Sequence, residues 1–270
     1  MSLVLITGGL GFIGSHTCVS LLTKGLDVLI IDSLVNSSKE NFINIKNLVK
    51  NYDKAQFGKV SFLQGDLRNN KWLDEIFKKQ ISINNPIDSV IHFAGLKSVE
   101  ESVLNPTKYW DLNINSTLSL LSSMKKFNCN SIVFSSSATI YKPIYEGRIS
   151  ENSLKEPMNP YGNTKIAIET ILKDLYLSDQ KKWKIINLRY FNPVGAHESG
   201  KIGEEPVGKA SNLFPILGKV ISGEIENLSI FGKDWPTKDG TCIRDYIHVM
   251  DLSEAHFSAL QFLKNNPTQF

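Results

Sequence analysis

The segment Thr7-Gly8-Gly9-Leu10-Gly11-Phe12-Ile13-Gly14 directly follows the apolar run Val4-Leu5-Ile6 and opens a helical pattern that continues to Lys24. Glycines at three-residue spacing permit a tight turn and close packing of a helix against a strand. Gly25 stands just past this pattern, where helix ends favour glycine. The segment therefore predicts a strand, a turn and a helix in succession, which is the first unit of a parallel sheet.

The same alternation continues along the chain. Short β-branched runs predict buried strands at Val4–Ile6, Val28–Ile31, Val60–Leu63, Val90–Phe93, Ile132–Phe134 and Ile185–Leu188. Periodic segments predict helices at Phe12–Lys24, Lys39–Lys50, Lys71–Lys79, Pro106–Phe127, Pro160–Leu177 and Asp251–Leu263. Because parallel neighbours need crossover helices, we predict an α/β fold with a Rossmann-type doubly wound parallel sheet.

The character of the chain changes after Phe191, where Gly, Pro, Glu and Lys become frequent and the apolar runs become short. A smaller, irregular lobe that follows a compact sheet fits this change. We therefore predict a larger domain at residues 1–191 and a smaller lobe at residues 192–270.

Composition excludes several classes of protein. The chain has 270 residues, with 30 basic and 27 acidic side chains, and 41% of its residues are hydrophobic, which excludes a disordered protein. The four arginines are scattered, so no nucleic-acid surface is predicted. No apolar run approaches the roughly 18 residues of a membrane span, and the first residues lack the basic region of a signal peptide. We expect a cytoplasmic protein with no membrane partner.

Cysteine and histidine spacing argues against disulfides and metals. Cys18, Cys129 and Cys242 lie far apart, in no disulfide framework and at no metal-ligand spacing. The five histidines are equally dispersed, so no metal site is predicted. His92, within an apolar strand, is expected to be a core residue with satisfied hydrogen bonds.

The glycine-rich turn predicts a dinucleotide site. The free N–H groups at the helix start would face a pyrophosphate. Asp32, at the end of the second strand, would accept hydrogen bonds from ribose hydroxyls. A 2′-phosphate would meet the negative charge of Asp32, so NAD is favoured over NADP. A simple turn with a capping aspartate is the alternative interpretation.

Three later residues predict proton-transfer chemistry. Tyr161 and Lys165 are four apart at the start of a helix, so both lie on one face. An ammonium beside a phenol would lower the pKa of Tyr161 from its usual ~10 and make it a general acid or base. Ser137 ends a strand, where its hydroxyl could bind the reacting oxygen. We predict Ser137, Tyr161 and Lys165 as catalytic residues.

The glycine spacing and the Tyr-x-x-x-Lys pair resemble the short-chain dehydrogenase/reductase superfamily. The strings Asp88–Lys97, Phe134–Thr139, Arg189–His197 and Arg244–Asp251 look more narrowly like the UDP-glucose 4-epimerases, in order from Leu3 to about Leu263. The resemblance implies interconversion of UDP-galactose and UDP-glucose. NAD would oxidise C4, the 4-keto sugar would rotate, and hydride would return to its other face.

The resemblance also implies binding roles. Contacts to NAD are implied for Gly8, Gly11, Phe12, Ile13, Gly14, Asp32, Ser33, Leu34, Asn36, Ser37, Asp66, Leu67, Phe93, Ala94, Gly95, Lys97, Asn113, Tyr161, Lys165 and Phe191. Contacts to the UDP-sugar are implied for Ser137, Tyr161, Asn192, Asn212, Leu213, Phe231 and Arg244. Two of these residues have an alternative structural role, because Asp66 could cap the next helix and Arg244 could form a salt bridge with Asp245 or a nearby acid.

Two departures from the family leave alternatives open. Lys142 stands where the family pattern usually has glycine, so an altered loop after Ser137 is expected. The family also continues beyond the position of Phe270, with further substrate contacts and the residue that decides acceptance of N-acetylated sugars. The resemblance therefore implies an NAD-binding domain at residues 1–191 and an incomplete UDP-sugar-binding lobe at residues 192–270. The alternatives are a weakened or inactive NAD-binding fragment, a UDP-N-acetylhexosamine 4-epimerase, or another nucleotide-sugar enzyme of the superfamily. A dehydratase is disfavoured because Ser136 and Ala138 bring no carboxylate. The helices around Pro106–Phe127 and Tyr161 resemble those that pair subunits, so a homodimer is expected.

Overall fold

A sheet of six parallel strands forms the centre of the computed structural model, which describes residues 2–50, 57–144, 147–206 and 212–266. The strands are β1 Leu3–Thr7, β2 Asp27–Asp32, β3 Val60–Gln64, β4 Ile87–His92, β5 Ser131–Ser135 and β6 Lys184–Leu188. Their order is β3-β2-β1-β4-β5-β6. The order switches direction between β1 and β4, which places a ligand crevice at their carboxyl ends. The predicted Rossmann-type α/β fold is confirmed.

Helices cover both faces of this sheet. They are α1 Phe12–Thr23, α2 Lys39–Lys50, α3 Asn70–Ser82, α4 Val99–Leu104, α5 Pro106–Trp110, α6 Ser116–Lys126, α7 Pro160–Ser178, α8 Leu213–Ile221 and α9 Val249–Asn265. Side chains alternate along β1, so Leu3 and Leu5 join one core cluster and Val4 and Ile6 the other. The first cluster includes residues of α3, α6 and α7, and the second includes residues of α1, α2 and α9. The predicted strands are present within a few residues, as are the predicted helices other than Pro106–Phe127, whereas α4 and α8 were not predicted.

The prediction of one continuous helix over Pro106–Phe127 is wrong. A π-helical turn at Asp111–Asn115 separates α5 from α6. The turn inserts the buried side chain of Asn113 between two other elements, and the Thr117 hydroxyl donates to the Asn113 carbonyl at 2.8 Å. Such single π turns inside helices are frequent at functional sites, and apolar periodicity does not reveal them.

The part of the chain after residue 191 contains a second, smaller sheet. Its two parallel strands are β7 Asn192–Val194 and β8 Tyr246–His248. The last helix, α9, packs back against α1 and against β5 and β6. The division at residues 191 and 192 therefore stays a prediction. Within the described residues, no helix combines the length and the apolarity that crossing a bilayer requires.

Candidate active site

The start of α7 positions the predicted tyrosine and lysine. The Asn159 side chain accepts a hydrogen bond from the Gly162 N–H at 2.8 Å, and Pro160 occupies the first turn. The capping hydrogen bond and the proline both favour a helix that begins at Pro160. Tyr161 and Lys165 consequently lie one turn apart on the face of α7 that meets the sheet.

Ser137 lies at the carboxyl end of β5, where a short 3-10 turn at Ala138–Ile140 begins. Its Oγ accepts hydrogen bonds from Thr139 N at 3.2 Å and from Thr139 Oγ1 at 2.9 Å. The Ser137 side chain lies close enough to Tyr161 to influence the pKa of the phenol. The two predicted catalytic side chains are therefore neighbours.

Lys165 is buried beside this pair. Its Nζ donates a hydrogen bond of 2.7 Å to the carbonyl oxygen of Ser135 and lies 4.8 Å from the ring centroid of Phe134. The distance from Nζ to the ring centroid of Tyr161 is 5.7 Å. The structure thus brings Ser137, Tyr161 and Lys165 together at the carboxyl edge of the sheet.

Burial dominates the acid–base properties of this cluster. It raises the pKa of Tyr161 to about 12, against the opposing effect of the Ser137 side chain. It lowers the pKa of Lys165 to about 8, against the opposing effect of the Glu169 carboxylate. Because the loss of hydration dominates, the pKa of Tyr161 lies above its usual value, and the prediction that it is lowered is wrong for this structure.

The glycine-rich turn after β1 cannot accept larger side chains at two positions. Gly8 has a φ of +68°, and a Cβ there would lie 2.7 Å from Ala94 N. A Cβ at Gly14 would lie 2.4 Å from Gly8 O. At Gly11 the nearest atom would be Gly8 O at 3.4 Å, so the space outside the turn is open. The first and third glycines allow close packing, and the second allows a ligand to approach the backbone.

Asp32 organises the loop after β2. Its Oδ1 accepts hydrogen bonds from Leu34 N at 2.9 Å and Ser37 Oγ at 2.8 Å, and its Oδ2 accepts one from Leu10 N at 3.0 Å. Leu34 has a φ of +62°, which is uncommon for a residue with a side chain. The carboxylate therefore sits beside the glycine-rich turn and keeps acceptor capacity on Oδ2.

Residues 4–270 match the model of the NAD dependent epimerase/dehydratase family. The chain belongs to this family. The UDP-glucose 4-epimerase of Bacillus subtilis is 46% identical over 264 residues, which are 97% of this chain and 74% of that protein. The UDP-glucose 4-epimerase of Neisseria meningitidis is 49% identical over 98% of this chain and 75% of its own length. The chain thus spans about three quarters of these relatives.

Solved structures of UDP-glucose 4-epimerases are also similar to this chain. The UDP-glucose 4-epimerase of Bifidobacterium longum, in complex with NAD+ and UDP, has a TM-score of 0.87 and 44% identity, and covers 96% of this chain and 74% of its own. The enzyme from Stenotrophomonas maltophila, with bound NAD and formylated UDP-arabinopyranose, has a TM-score of 0.90 and 41% identity over 99% of this chain and 76% of its own.

NAD, the cofactor in the name of this family, fits the residues at the crevice by the carboxyl ends of β1 and β4. The N-terminus of α1 has no side-chain cap and no acidic residue in its first turn, so its free N–H groups suit a pyrophosphate. Gly11 leaves space for that group, and Asp32 offers a buried acceptor beside it. The donor and acceptor set matches NAD.

Other residues with an implied NAD contact differ in what they touch. Asn113 is fully engaged within the chain, since its amide bonds Leu96 N at 2.7 Å, Leu96 O at 3.2 Å and Thr164 Oγ1 at 3.0 Å. It therefore holds the loop after β4 against α7. Among the remainder, Leu67 is buried, Phe12, Ile13, Phe93 and Ala94 are half-buried, and Ser33, Asn36, Asp66, Gly95, Lys97 and Phe191 are exposed.

The alternative interpretation of Asp66 as a helix cap is wrong. Asn69 caps α3, because its Oδ1 accepts a hydrogen bond from Trp72 N at 3.2 Å. Asp66 instead bonds the guanidinium of Arg68, and this contact holds the pKa of its carboxyl below the usual range. Arg68 also pairs with Asp111, so the carboxylate belongs to an exposed charged cluster.

The residues with an implied substrate contact lie around the small sheet. Asn192 Nδ2 donates to Asp245 O at 2.8 Å, and Asn212 Nδ2 donates to Glu204 Oε1 at 2.5 Å. The same oxygen of Glu204 pairs with Lys97 at 3.2 Å, which joins the two parts of the chain. Leu213 is 42% exposed and Phe231 is 88% exposed. Unlike Ser137 and Tyr161, this set is only partly brought together.

Arg244 is exposed, and the alternative interpretation of a salt bridge to Asp245 is wrong. No carboxylate lies within ion-pair distance of it in the described part of the chain. His92 is a satisfied core residue, as predicted: Nδ1 contacts Thr7 Oγ1 at 2.7 Å and Nε2 contacts Thr117 Oγ1 at 2.9 Å. Over the same residues, no group of three or more histidine, cysteine or acidic side chains could hold a metal ion.

Sequence reasoning missed several polar residues of this site. Thr139 bonds Ser137, and Thr164 bonds both Asn113 and the carbonyl of Tyr161. Glu169 lies beneath the cluster in a buried ion pair with Arg189. A signal for Glu169 was present, because it continues the four-residue spacing of Tyr161 and Lys165 along α7.

Proposed function

We propose that this protein interconverts UDP-galactose and UDP-glucose with NAD as its cofactor. The grouping of Ser137, Tyr161 and a buried Lys165 at the carboxyl edge of the sheet that also carries the glycine-rich turn is the observation behind this proposal. The similarity of nearly the whole chain to UDP-glucose 4-epimerases supports it. NAD, when bound, supplies a hydride acceptor and donor at sugar C4.

Proton transfer at the sugar 4-oxygen belongs to this chain's own residues. Tyr161 takes the proton of the 4-hydroxyl when the sugar is oxidised and returns it when the sugar is reduced. Ser137, which lies beside Tyr161, orients the 4-oxygen. Because burial raises the pKa of Tyr161, its role as a base depends on a nearby positive charge, and the Lys165 ammonium is positioned to contribute it.

One group of residues is assigned to NAD and another to the uridine diphosphate of the substrate. The N–H groups at the start of α1 bind the pyrophosphate of NAD, Asp32 binds the adenosine ribose, and Lys165 binds the nicotinamide ribose. Asn192, Asn212, Leu213, Phe231 and Arg244 bind the uridine diphosphate. Arg244 suits this role because it is exposed and a guanidinium forms paired hydrogen bonds to phosphate.

Product formation from UDP-galactose tests the activity. The protein is incubated with NAD and UDP-galactose, without another redox substrate, and the anomeric protons are followed by NMR. Signals of UDP-glucose are expected from the wild-type protein and none from Tyr161→Phe. A spectrum that stays unchanged, in a protein shown to bind NAD by calorimetry, would refute the proposal and favour an inactive NAD-binding fragment.

We also propose a homodimer in the cytoplasm. Leu104, Leu118 and Leu177 are 73%, 45% and 53% exposed on α4, α6 and α7, which is the kind of apolar surface that a second copy could cover. Cys18 and Cys129 are buried as free thiols, which suits a reducing compartment. Light scattering on the purified protein tests the dimer, and a monomeric mass would contradict it.

A further inference from the structure

A buried carboxylate joins four parts of the chain directly beneath the reacting residues. Glu169 Oε1 accepts hydrogen bonds from Ser136 Oγ at 2.6 Å and from Arg189 Nε at 2.8 Å. Its Oε2 accepts one from Arg189 Nη2 at 2.7 Å. Arg189 Nη1 in turn donates to Tyr141 Oη at 2.9 Å and to Glu151 O at 3.0 Å. Helix α7, the end of β5, the end of β6 and the loop after Ser137 therefore meet at one ion pair.

The position of Glu169 ties this ion pair to the catalytic cluster. Glu169 follows Lys165 by four residues on α7, so the two side chains occupy neighbouring turns of one face. Lys165 Nζ binds the carbonyl of Ser135, and Glu169 binds the hydroxyl of the next residue, Ser136. The ammonium and the carboxylate thus hold consecutive residues of the strand end that carries Ser137.

We infer that Glu169 is a positioning residue: its carboxylate fixes the strand end at Ser135–Ser137 against α7 and keeps the neighbouring Lys165 in its ammonium form. The inference rests on the proposed function, since it assigns Glu169 to the same proton transfer. Glu169 acts through Lys165 and Ser136 and does not itself reach the reacting atoms. Loss of its charge removes the anion that opposes the effect of burial on Lys165, and a buried amine without an anion releases its proton more readily.

The charged and titratable groups around Lys165 make this effect measurable. His92 faces it from β4, and burial lowers the pKa of His92 to about 3, so that ring stays neutral in mildly alkaline solution. Burial raises the pKa values of Tyr161 and Tyr190, and the pKa of Arg189 is raised by its bonds to Glu169. In this group, Lys165 is the residue that changes its charge between pH 7 and pH 10, because its pKa is lowered to about 8.

Glu169→Gln tests the inference, because it removes the charge and keeps the shape of the side chain. The titration of Lys165 is followed by NMR of ε-13C-labelled lysine without substrate, and Lys165→Met assigns the signal. We expect the midpoint to move to lower pH by about one unit. The ratio of variant to wild-type kcat should also fall as pH rises from 6.5 to 9, since more of the variant's Lys165 is then neutral.

Glu254→Gln is a matched control. Glu254 also accepts hydrogen bonds from a serine and a cation, Ser20 Oγ at 2.7 Å and Lys24 Nζ at 2.7 Å, but lies on α9. It should leave the Lys165 midpoint and the pH profile unchanged. Glu169→Asp, which keeps the charge but withdraws it, should give a smaller shift in the same direction. It carries the test alone if circular dichroism shows that Glu169→Gln is unfolded.

The outcomes separate this inference from the proposed function. Folded variants with a wild-type Lys165 midpoint, or a loss of kcat that is the same at every pH, would overturn the role of Glu169. A shifted midpoint in a protein whose wild type makes no UDP-glucose would support the electrostatic role and refute the proposed activity instead.

Discussion

The six-stranded sheet and the segment from residue 212 to residue 246 differ sharply in how their apolar side chains are covered. Leu5 and Ile30, in the centre of the sheet, are fully buried between two helical layers. Ile221, Phe231 and Ile243 are 86%, 88% and 80% exposed, and α8 contains no buried residue. Large exposed apolar side chains close together mark surfaces that bind something else.

This difference in packing separates the residues with a proposed role in proton transfer from those with a proposed role in substrate binding. The residues with a proposed role in proton transfer stand on the carboxyl edge of the well-packed sheet, where Lys165 binds the strand end that leads to Ser137. The residues with a proposed contact to the uridine diphosphate stand on β7, at the start of α8 and in the loop between α8 and β8, where neighbouring surface is open. We therefore expect substitutions in the first region to change catalysis and stability, and substitutions in the second to change substrate affinity.

The largest effect is expected from Tyr161→Phe. Loss of the hydroxyl removes the group that moves the proton, so kcat should fall by about 10³-fold. The affinity for NAD should stay near that of the wild type, because the glycine-rich turn is unchanged. Steady-state kinetics and calorimetry measure the two quantities. Tyr176→Phe, on the same helix, is the control, and retention of kcat in Tyr161→Phe would show that another group moves the proton.

Acid should destabilise the first region by a comparable free energy. Burial lowers the pKa of His16 and His256 to about 4 and that of His92 to about 3. In the unfolded chain these groups titrate near 6.5, so their contribution to stability is complete above that pH and is lost as pH falls from 6.5 toward 4. Between pH 7.5 and 5.5 each histidine should cost about 1.4 kcal/mol, or about 4 kcal/mol together.

Urea denaturation at several pH values checks this prediction. Among the described residues, Nε2 of His256 has no hydrogen-bond partner, so a proton there would be buried without an acceptor. His256→Met removes one titrating group and should make the pH dependence weaker by about one proton. A free energy of unfolding that is constant between pH 7.5 and 5.5 would contradict the assignment of all three groups.

The two regions also differ in how well their structure can be predicted from the sequence. Apolar runs and the glycine-rich turn predicted the sheet because a parallel strand buried on both faces has a continuous apolar pattern. The Tyr-x-x-x-Lys spacing predicted which face of α7 carries the two candidate residues, because helical geometry makes them neighbours. Such local rules also fixed the place of Ser137, whose strand end meets that face.

Patterns fail where hydrogen bonds to distant residues decide the structure. The π turn at Asn113 depends on bonds to Leu96 and Thr164, and helical periodicity contains no trace of them. The unpredicted α8 has an apolar sequence but no buried residue, so its pattern does not reflect a core. The pKa of Tyr161 was predicted to be lowered but is raised, because residue spacing indicates a neighbouring charge and does not indicate the loss of hydration on burial.

One substitution made in both regions should have opposite effects on stability. Gly14→Ala in α1 places a Cβ 2.4 Å from Gly8 O, so it should cost about 1–3 kcal/mol and weaken NAD binding. Gly218→Ala in α8 meets no atom within 4 Å and should stabilise the protein by about 0.5–1 kcal/mol. Urea denaturation compares them, and equal effects would mean that the two helices are packed alike.

Arg244→Ala tests the second region directly. Removal of an exposed cation that binds a diphosphate should raise KM for UDP-galactose by about tenfold, with kcat and the NAD dissociation constant unchanged. Arg148→Ala, another exposed arginine, is the control. An unchanged KM would remove Arg244 from the substrate site. A fall in kcat would instead mean that the second region takes part in the chemistry, and the separation of roles between the two regions would fail.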